Sequence, residues 1–324
     1  MNGWLTTTPI DDFQSGGGVS TAGERYEAIG SGVALGGLVL AVGLVVFLAT
    51  VHRGERAELA WLLRLVALAG ALMVGGGIVE VAGTAEVLGL AWSEALTDGS
   101  AASAMMRLLG GLLIVLGFAE ETVPVGGVSG VPGASGAGDG PDGVVRWFPG
   151  ASSAFGLAGV VLGVLSFAFD GHTVTEGPRL VHAGVNAIHV TAGGVWFGGV
   201  VGLLAVGTLR RGSGSIGPLL VRFSRVATLA LASVFVAGVL MGVMILDGFG
   251  ELTGTEWGRR LLVKAAAVGV AALLGTYHHL VIVPRFTAGD VAIERTTRRT
   301  VAVEAIVLAF AVVMSASLAH ASTV

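Results

Sequence analysis

An all-α, polytopic transmembrane helix bundle is the fold class this sequence predicts, and three observations carry it. Hydrophobic residues make up 53% of the 324 residues and charged residues 12%, too little charge to cover a soluble surface of this size. Apolar runs long enough to cross a bilayer recur about eight times, near 30–51, 61–82, 104–120, 148–169, 183–208, 223–246, 261–283 and 301–320. Arginines gather in alternate links between those runs, as the positive-inside rule asks of cytoplasmic loops.

Taken in order, residues 1–29 are polar, lack the apolar core of a signal peptide and read as an extracytoplasmic N-terminus. Residues 30–118 hold the first transmembrane helices. The third is the weakest of the eight, being short and carrying Arg107 in its first turn. Residues 119–147 are rich in glycine and read as a flexible link. Residues 148–324 supply the remaining spans.

Orientation follows from the links. Arg53 and Arg56 follow span one; Arg210, Arg211 and Arg222 follow span five; Arg285, Arg295, Arg298 and Arg299 follow span seven. The links after spans two, four and six carry Glu86, Glu94, Asp98, Asp170, Glu176, Asp247 and Glu251 instead. Both termini are therefore expected outside. The Gly-rich link is acidic although it falls on the inner side, but carboxylates contribute little to topology. Arg64-Leu-Val-Ala-Leu-Ala in span two echoes Arg225-Val-Ala-Thr-Leu-Ala in span six, which suggests a parallel four-plus-four repeat. Many of the 54 glycines fall inside spans, where they read as surfaces on which helix backbones approach closely.

Cysteine is absent, which excludes disulfides, thiolate metal sites and iron–sulfur clusters. A soft metal would have to be held by Met, His or carboxylate. No P-loop and no phosphorylation motif of the Asp-Lys-Thr-Gly type occur, so an ATP-driven pump is not expected. The reading is of a non-enzyme in the cytoplasmic membrane, with lipid around it, no nucleic-acid partner and oligomerisation left open.

Asp170 to Arg211 stands out. His182, Asn186, His189, Gly193 and Trp196 recur every three or four residues and so share one face of span five. Imidazoles inside an apolar span are costly and point toward a cavity, a partner or a ligand. Upstream lies Gly171-His172, and downstream the run Trp196-Phe-Gly-Gly199. Arg222-Phe-Ser-Arg225 opens the next helix, Trp257-Gly-Arg-Arg-Leu-Leu-Val-Lys264 opens span seven, and Val283-Pro-Arg285 is expected to end it. With Glu304 in the last span, this order of motifs resembles the CopD family of copper-resistance membrane proteins. The resemblance covers the C-terminal half by motif and the N-terminal half by layout. It implies copper movement from the outer compartment toward the cytoplasm, often beside a soluble copper-binding partner.

The predicted orientation sorts polar residues into two layers. Outward lie His172, His182, His189 and His320, with Met241 and Met244 at i, i+3, and Met314 in span eight. Thioether suits Cu(I) and imidazole suits both Cu(I) and Cu(II), so this set is the candidate copper collar. Inward lie His278, His279 and Glu304, which with Trp196 and Asn186 form the candidate transport or proton-coupling path. Each residue also has a plainer reading. His182 would be a solvated histidine at the membrane surface. His189 would be a neutral imidazole hydrogen-bonded to a neighbouring helix carbonyl. The methionines and Trp196 would be packing, and Lys264 would snorkel outward. Glu304 would sit in the first turn of span eight, where the helix dipole favours a carboxylate. His278 and His279 lie about 100° apart on a helix, so at most one faces the bundle easily. Two other functions use the same residues: a b-type haem electron carrier with axial histidines on facing helices, and a non-transporting membrane partner of an extracytoplasmic copper chaperone.

Overall fold

In lipid, a chain hides its backbone amides by coiling, because no water is present to satisfy them. The computed structural model describes residues 21–97, 99–119, 137–139, 144–169, 179–211, 214–246 and 248–318. Among them are eight helices long and apolar enough to cross a membrane. These are α1 (Thr21–Thr50), α2 (Arg56–Leu88), α3 (Ala102–Ala119), α4 (Ala151–Phe169), α5 (Arg179–Leu209), α6 (Gly217–Ile245), α7 (Glu256–Thr287) and α8 (Glu294–Leu318).

Several helices start earlier than hydropathy alone indicates. α6 begins at Gly217 with Pro218 in its first turn, where a missing N–H costs nothing. α7 begins after Thr255, whose hydroxyl oxygen accepts the Gly258 N–H at 3.0 Å. α8 begins at Glu294, so its first two turns are the polar, basic stretch that precedes residue 301. Such turns lie toward the membrane–water boundary, where charge is tolerated and apolarity is no guide.

α7 does not end at Val283-Pro-Arg285 as expected. It passes through a π turn at His278–Ile282 and continues to Thr287. Pro284 is the cause: it has no N–H to offer the preceding turn, and a wider turn accommodates the loss. The Val283 N–H bonds the His278 carbonyl, five residues back.

α1 is the central post, with Leu38, Leu44, Phe47 and Leu48 fully buried. It packs along α2 on one side and α5 on the other; α3 covers α2, and α4 covers α3. On the other side α6 lies on α5, α7 on α8, and α8 touches both α1 and α5, while α6 and α7 meet chiefly at the C-terminal end of α7. Arg107 is not an intruder in α3. Its guanidinium is 2.6 Å from Glu80 of α2, donates to Ser166 of α4 and stacks over Phe167, so one buried cation ties three helices.

At the arginine-rich end, β1 (Ala137–Asp139) pairs antiparallel with β2 (Val145–Trp147). Val145 also bridges to Gly54, just after α1, and Trp147 is buried against Phe118. This end of the 119–147 link is therefore anchored, where composition suggested a free joint.

Candidate functional site

The face of α5 that the sequence singled out points at α6 in its outer half and at α8 lower down. His189 Nδ1 lies 3.2 Å from the Val234 carbonyl of α6. A carbonyl accepts but cannot donate, so the proton sits on Nδ1 and the Nε2 lone pair is left for another partner. Gly238, one turn outward on α6, leaves room for the ring: a Cβ there would meet His189 Cε1 at 3.3 Å. Met241 follows Gly238 by three residues and Val234 by seven, so it shares the face of α6 that His189 touches. Lys264 of α7, expected to snorkel outward, is half-buried and within electrostatic range of His189.

His182 is not the solvated surface histidine that its place in the sequence suggested. It is buried, and its Nδ1 has no hydrogen-bond partner among the described residues. It stands seven residues, about 10 Å of helix rise, before His189 on the same face. Asn186 lies half-buried between them. Met241, Met244 and Met314 are half-buried. His172 and His320 lie outside the described residues. No group of three His, Asp or Glu side chains converges as metal ligands among the described residues.

Deeper in the bundle three of the candidates meet. Trp196 Nε1 donates to Glu304 Oε1 at 2.8 Å, and Glu304 Oε2 is 3.0 Å from His278 Nδ1. His278 Nε2 is 2.7 Å from the Thr300 hydroxyl, which donates to the backbone carbonyls of Thr296 and Thr297 at 3.1 Å. All three candidates are buried. Glu304 is ten residues into α8, almost three turns, not in its first turn as read from the sequence. Trp196 is more than packing, since it holds one carboxylate oxygen.

Proton positions follow from this chain. The single Thr300 hydrogen can serve either a backbone carbonyl or His278 Nε2, so Nε2 either donates to the hydroxyl or accepts from it. Across the 3.0 Å contact, His278 Nδ1 either donates to a carboxylate or presents a lone pair to a protonated Glu304. The Glu304–His278 pair holds one mobile proton in either form. His278 uses both ring nitrogens here and leaves none for a haem iron. Its neighbour His279 is exposed, with Nδ1 2.7 Å from Ser224 Oγ. The π turn thus lets two adjacent histidines find partners on two different helices.

Sequence reasoning missed Thr300 and Ser224. Thr300 precedes Glu304 by four residues and so shares its face, and Ser224 lies inside Arg222-Phe-Ser-Arg225; those were the available signals. It also missed a buried cluster at the arginine-rich end. His52 Nε2 lies 3.4 Å from Glu58, and Arg210 grips Glu58 through two contacts of 2.6 and 2.8 Å. The paired carboxylate raises the pKa of Arg210 above its ordinary value.

The fold and this site define a multi-pass helical membrane protein with a buried polar chain between its last four helices. Residues 217–318 match the family model CopD, copper resistance protein D. That region spans α6 to α8 and takes in Glu304, His278, His279, Thr300 and the three candidate methionines; Trp196, His189 and His182 on α5 lie before it. The chain is similar to the inner membrane protein YebZ of Escherichia coli, with 34% identity over 119 residues, 36% of this chain and 41% of YebZ. It is also similar to the copper transport protein CutJ of Bacillus subtilis, with 28% identity over 131 residues, 36% of this chain and 22% of CutJ. The match thus spans less than half the length of either relative. No solved structure matches the chain. These likenesses support a copper-related membrane protein.

Proposed function

We propose that this protein moves copper across the cytoplasmic membrane, with both termini outside. The cargo enters beside His182 and His189 and passes the Trp196–Glu304–His278 layer, where it exchanges with the proton of that pair. An extracytoplasmic copper-binding partner delivers it. The reading is carried by Glu304, a carboxylate buried far from either helix end and held by an indole on one oxygen and an imidazole on the other. Ionisable groups inside a membrane are expensive and mark ion paths and proton relays. His189 supports the outer end of the path. Its Nδ1–H is fixed by a carbonyl, the arrangement that orients a metal-binding imidazole and sets its tautomer, and Met241 shares the facing surface. Copper is the cargo that suits an imidazole and thioether set without cysteine. The name of CutJ, a copper transport protein, points the same way.

Cellular copper content at equal protein level tests this. Cells expressing Glu304→Gln should accumulate less copper than wild type, and unchanged accumulation would leave Glu304 a structural carboxylate. Titration of purified His189→Ala should show copper affinity lowered at least tenfold, ~1.4 kcal/mol. A stoichiometric Soret band in the purified protein would replace copper by haem as the ligand.

A further inference from the structure

Arginines at the basic end of the bundle fall into two groups. Arg210 is paired with Glu58, and Arg298 with Glu294. Arg53, Arg146 and Arg222 have no carboxylate partner among the described residues, yet they converge. Arg53 donates to the His52 carbonyl at 2.8 Å and Arg222 to the adjacent Val51 carbonyl at 3.0 Å, so the two guanidiniums share the two residues that follow α1. Gly54 pairs antiparallel with Val145. Continuing that register by one residue sets Arg53 opposite Arg146. Like charges directly opposite each other on paired strands destabilise the pairing. The pKa of Arg53 is lowered, first by partial burial and then by Arg146 and Arg222, which places each of those two within electrostatic reach of Arg53.

We propose that Arg53, Arg146 and Arg222 form a binding site for the phosphate of an anionic phospholipid. Two guanidiniums on adjacent carbonyls and a third set opposite by the strand register, none of them paired with a carboxylate because the neighbouring Glu58 is held by Arg210, match a phosphate's oxygens and its charge. A lipid is the occupant because of where the site lies. Arg53 stands just beyond the end of α1, Arg222 in the second turn of α6 and Arg146 shortly before α4, all at the level where helices leave the membrane. Arg146 stacks over Phe148, centroid distance 4.9 Å, and Phe148 is exposed, giving an acyl chain an apolar surface beside the headgroup. Anionic lipids attract basic segments in just this zone. The bound phosphate would relieve the repulsion across the Gly54–Val145 bridge, and so fasten the strand after the Gly-rich link to the end of α1.

Full-length protein in nanodiscs of equal phosphatidylglycerol and phosphatidylcholine, released for native mass spectrometry, reads the bound lipid directly. Wild type should retain one phosphatidylglycerol in preference to phosphatidylcholine. Arg146→Gln and Arg53→Gln should each lower that retention about fivefold. Arg299→Gln, which removes the same charge from an exposed place at the same end, should leave it nearly unchanged. Thermal stability of each variant, measured alongside, identifies any that has lost its fold, and Arg146, being exposed, is the variant least exposed to that risk. Equal loss in Arg299→Gln would mean diffuse attraction and overturn the site, as would equal retention of phosphatidylcholine by wild type. If millimolar inorganic phosphate displaces the lipid and stays bound itself, the lipid assignment falls.

Discussion

Between α1 and α2, Gly37 faces Ala69 and Gly76 faces Ala34 so closely that an added Cβ would stand 2.5 Å from the Ala69 carbonyl oxygen or the Ala34 amide nitrogen. Gly70 meets the Gly111 carbonyl of α3 in the same way, and Gly110 meets the Gly159 carbonyl of α4. In α6 and α7, Gly238 makes space for an imidazole and Gly275 for Glu304 and Trp196, at 3.6 and 3.9 Å. The corresponding helix pairs differ accordingly: α2 and α3 pack tightly, while α6 and α7 meet chiefly where the C-terminal end of α7 reaches the start of α6. Within their apolar segments 44% of α2 and of α3 is buried in the protein, against 17% of α6 and of α7. Close backbone packing is what holds helices together where lipid competes for every apolar contact. The first four helices, with α5 packed on α1 through Gly194 and Gly198 against Val39 and Gly43, therefore serve as a scaffold, and α6 to α8 give up packing around a buried polar chain.

The sharpest challenge to that contrast is Arg107→Met. Removing one partner of a buried ion pair costs ~3–5 kcal/mol, so unfolding in sodium dodecyl sulfate should occur at a much lower detergent fraction. Combining it with Glu80→Leu should restore most of the loss; no restoration would mean that the pair is not what joins α2 to α3.

Gly37→Leu comes next. A side chain forced between α1 and α2 costs ~1–3 kcal/mol or more, read in the same assay, with copper affinity in the surviving fraction unchanged. A stable Gly37→Leu protein would show that the scaffold half is as loosely held as the other.

Trp196→Phe should be milder for the fold and worse for function. It leaves Glu304 short of one donor, ~1–3 kcal/mol, and cellular copper accumulation should fall as in Glu304→Gln. Loss of stability with normal accumulation would make the polar chain a structural brace.

The smallest effect on stability is expected for Gly238→Ala. Alanine favours the helix by up to ~1 kcal/mol, but its Cβ presses on His189 at 3.3 Å. Thermal stability should hold or rise while copper affinity shifts by several-fold. Unchanged affinity would detach His189 from the cargo path.

Much of the architecture could be read from composition. The number of spans, the weak third helix and the shared face of His182, Asn186, His189 and Trp196 all come from counts and spacings along one helix. The plainer reading of His189 was also accurate as geometry, since its Nδ1 does bond a neighbouring carbonyl. Burial of His182, by contrast, depends on what lies over it, and no local pattern encodes that. The first turns of α8 were lost for a different reason: hydropathy registers the hydrocarbon-crossing part of a helix and not its polar ends.

What the sequence determined by itself is the eight-span helical layout and its arginine asymmetry, because lipid solvates each helix separately and each must satisfy its own backbone. What the tertiary structure alone decided is which polar groups meet. Trp196 and Glu304 are 108 positions apart, and their contact depends on how α5 and α8 are rotated and crossed. The π turn at His278–Ile282 adds one residue to a turn and swings His278 toward Glu304 and His279 toward Ser224. A periodicity argument assumes a regular helix, so it cannot anticipate the irregular turn on which that meeting depends.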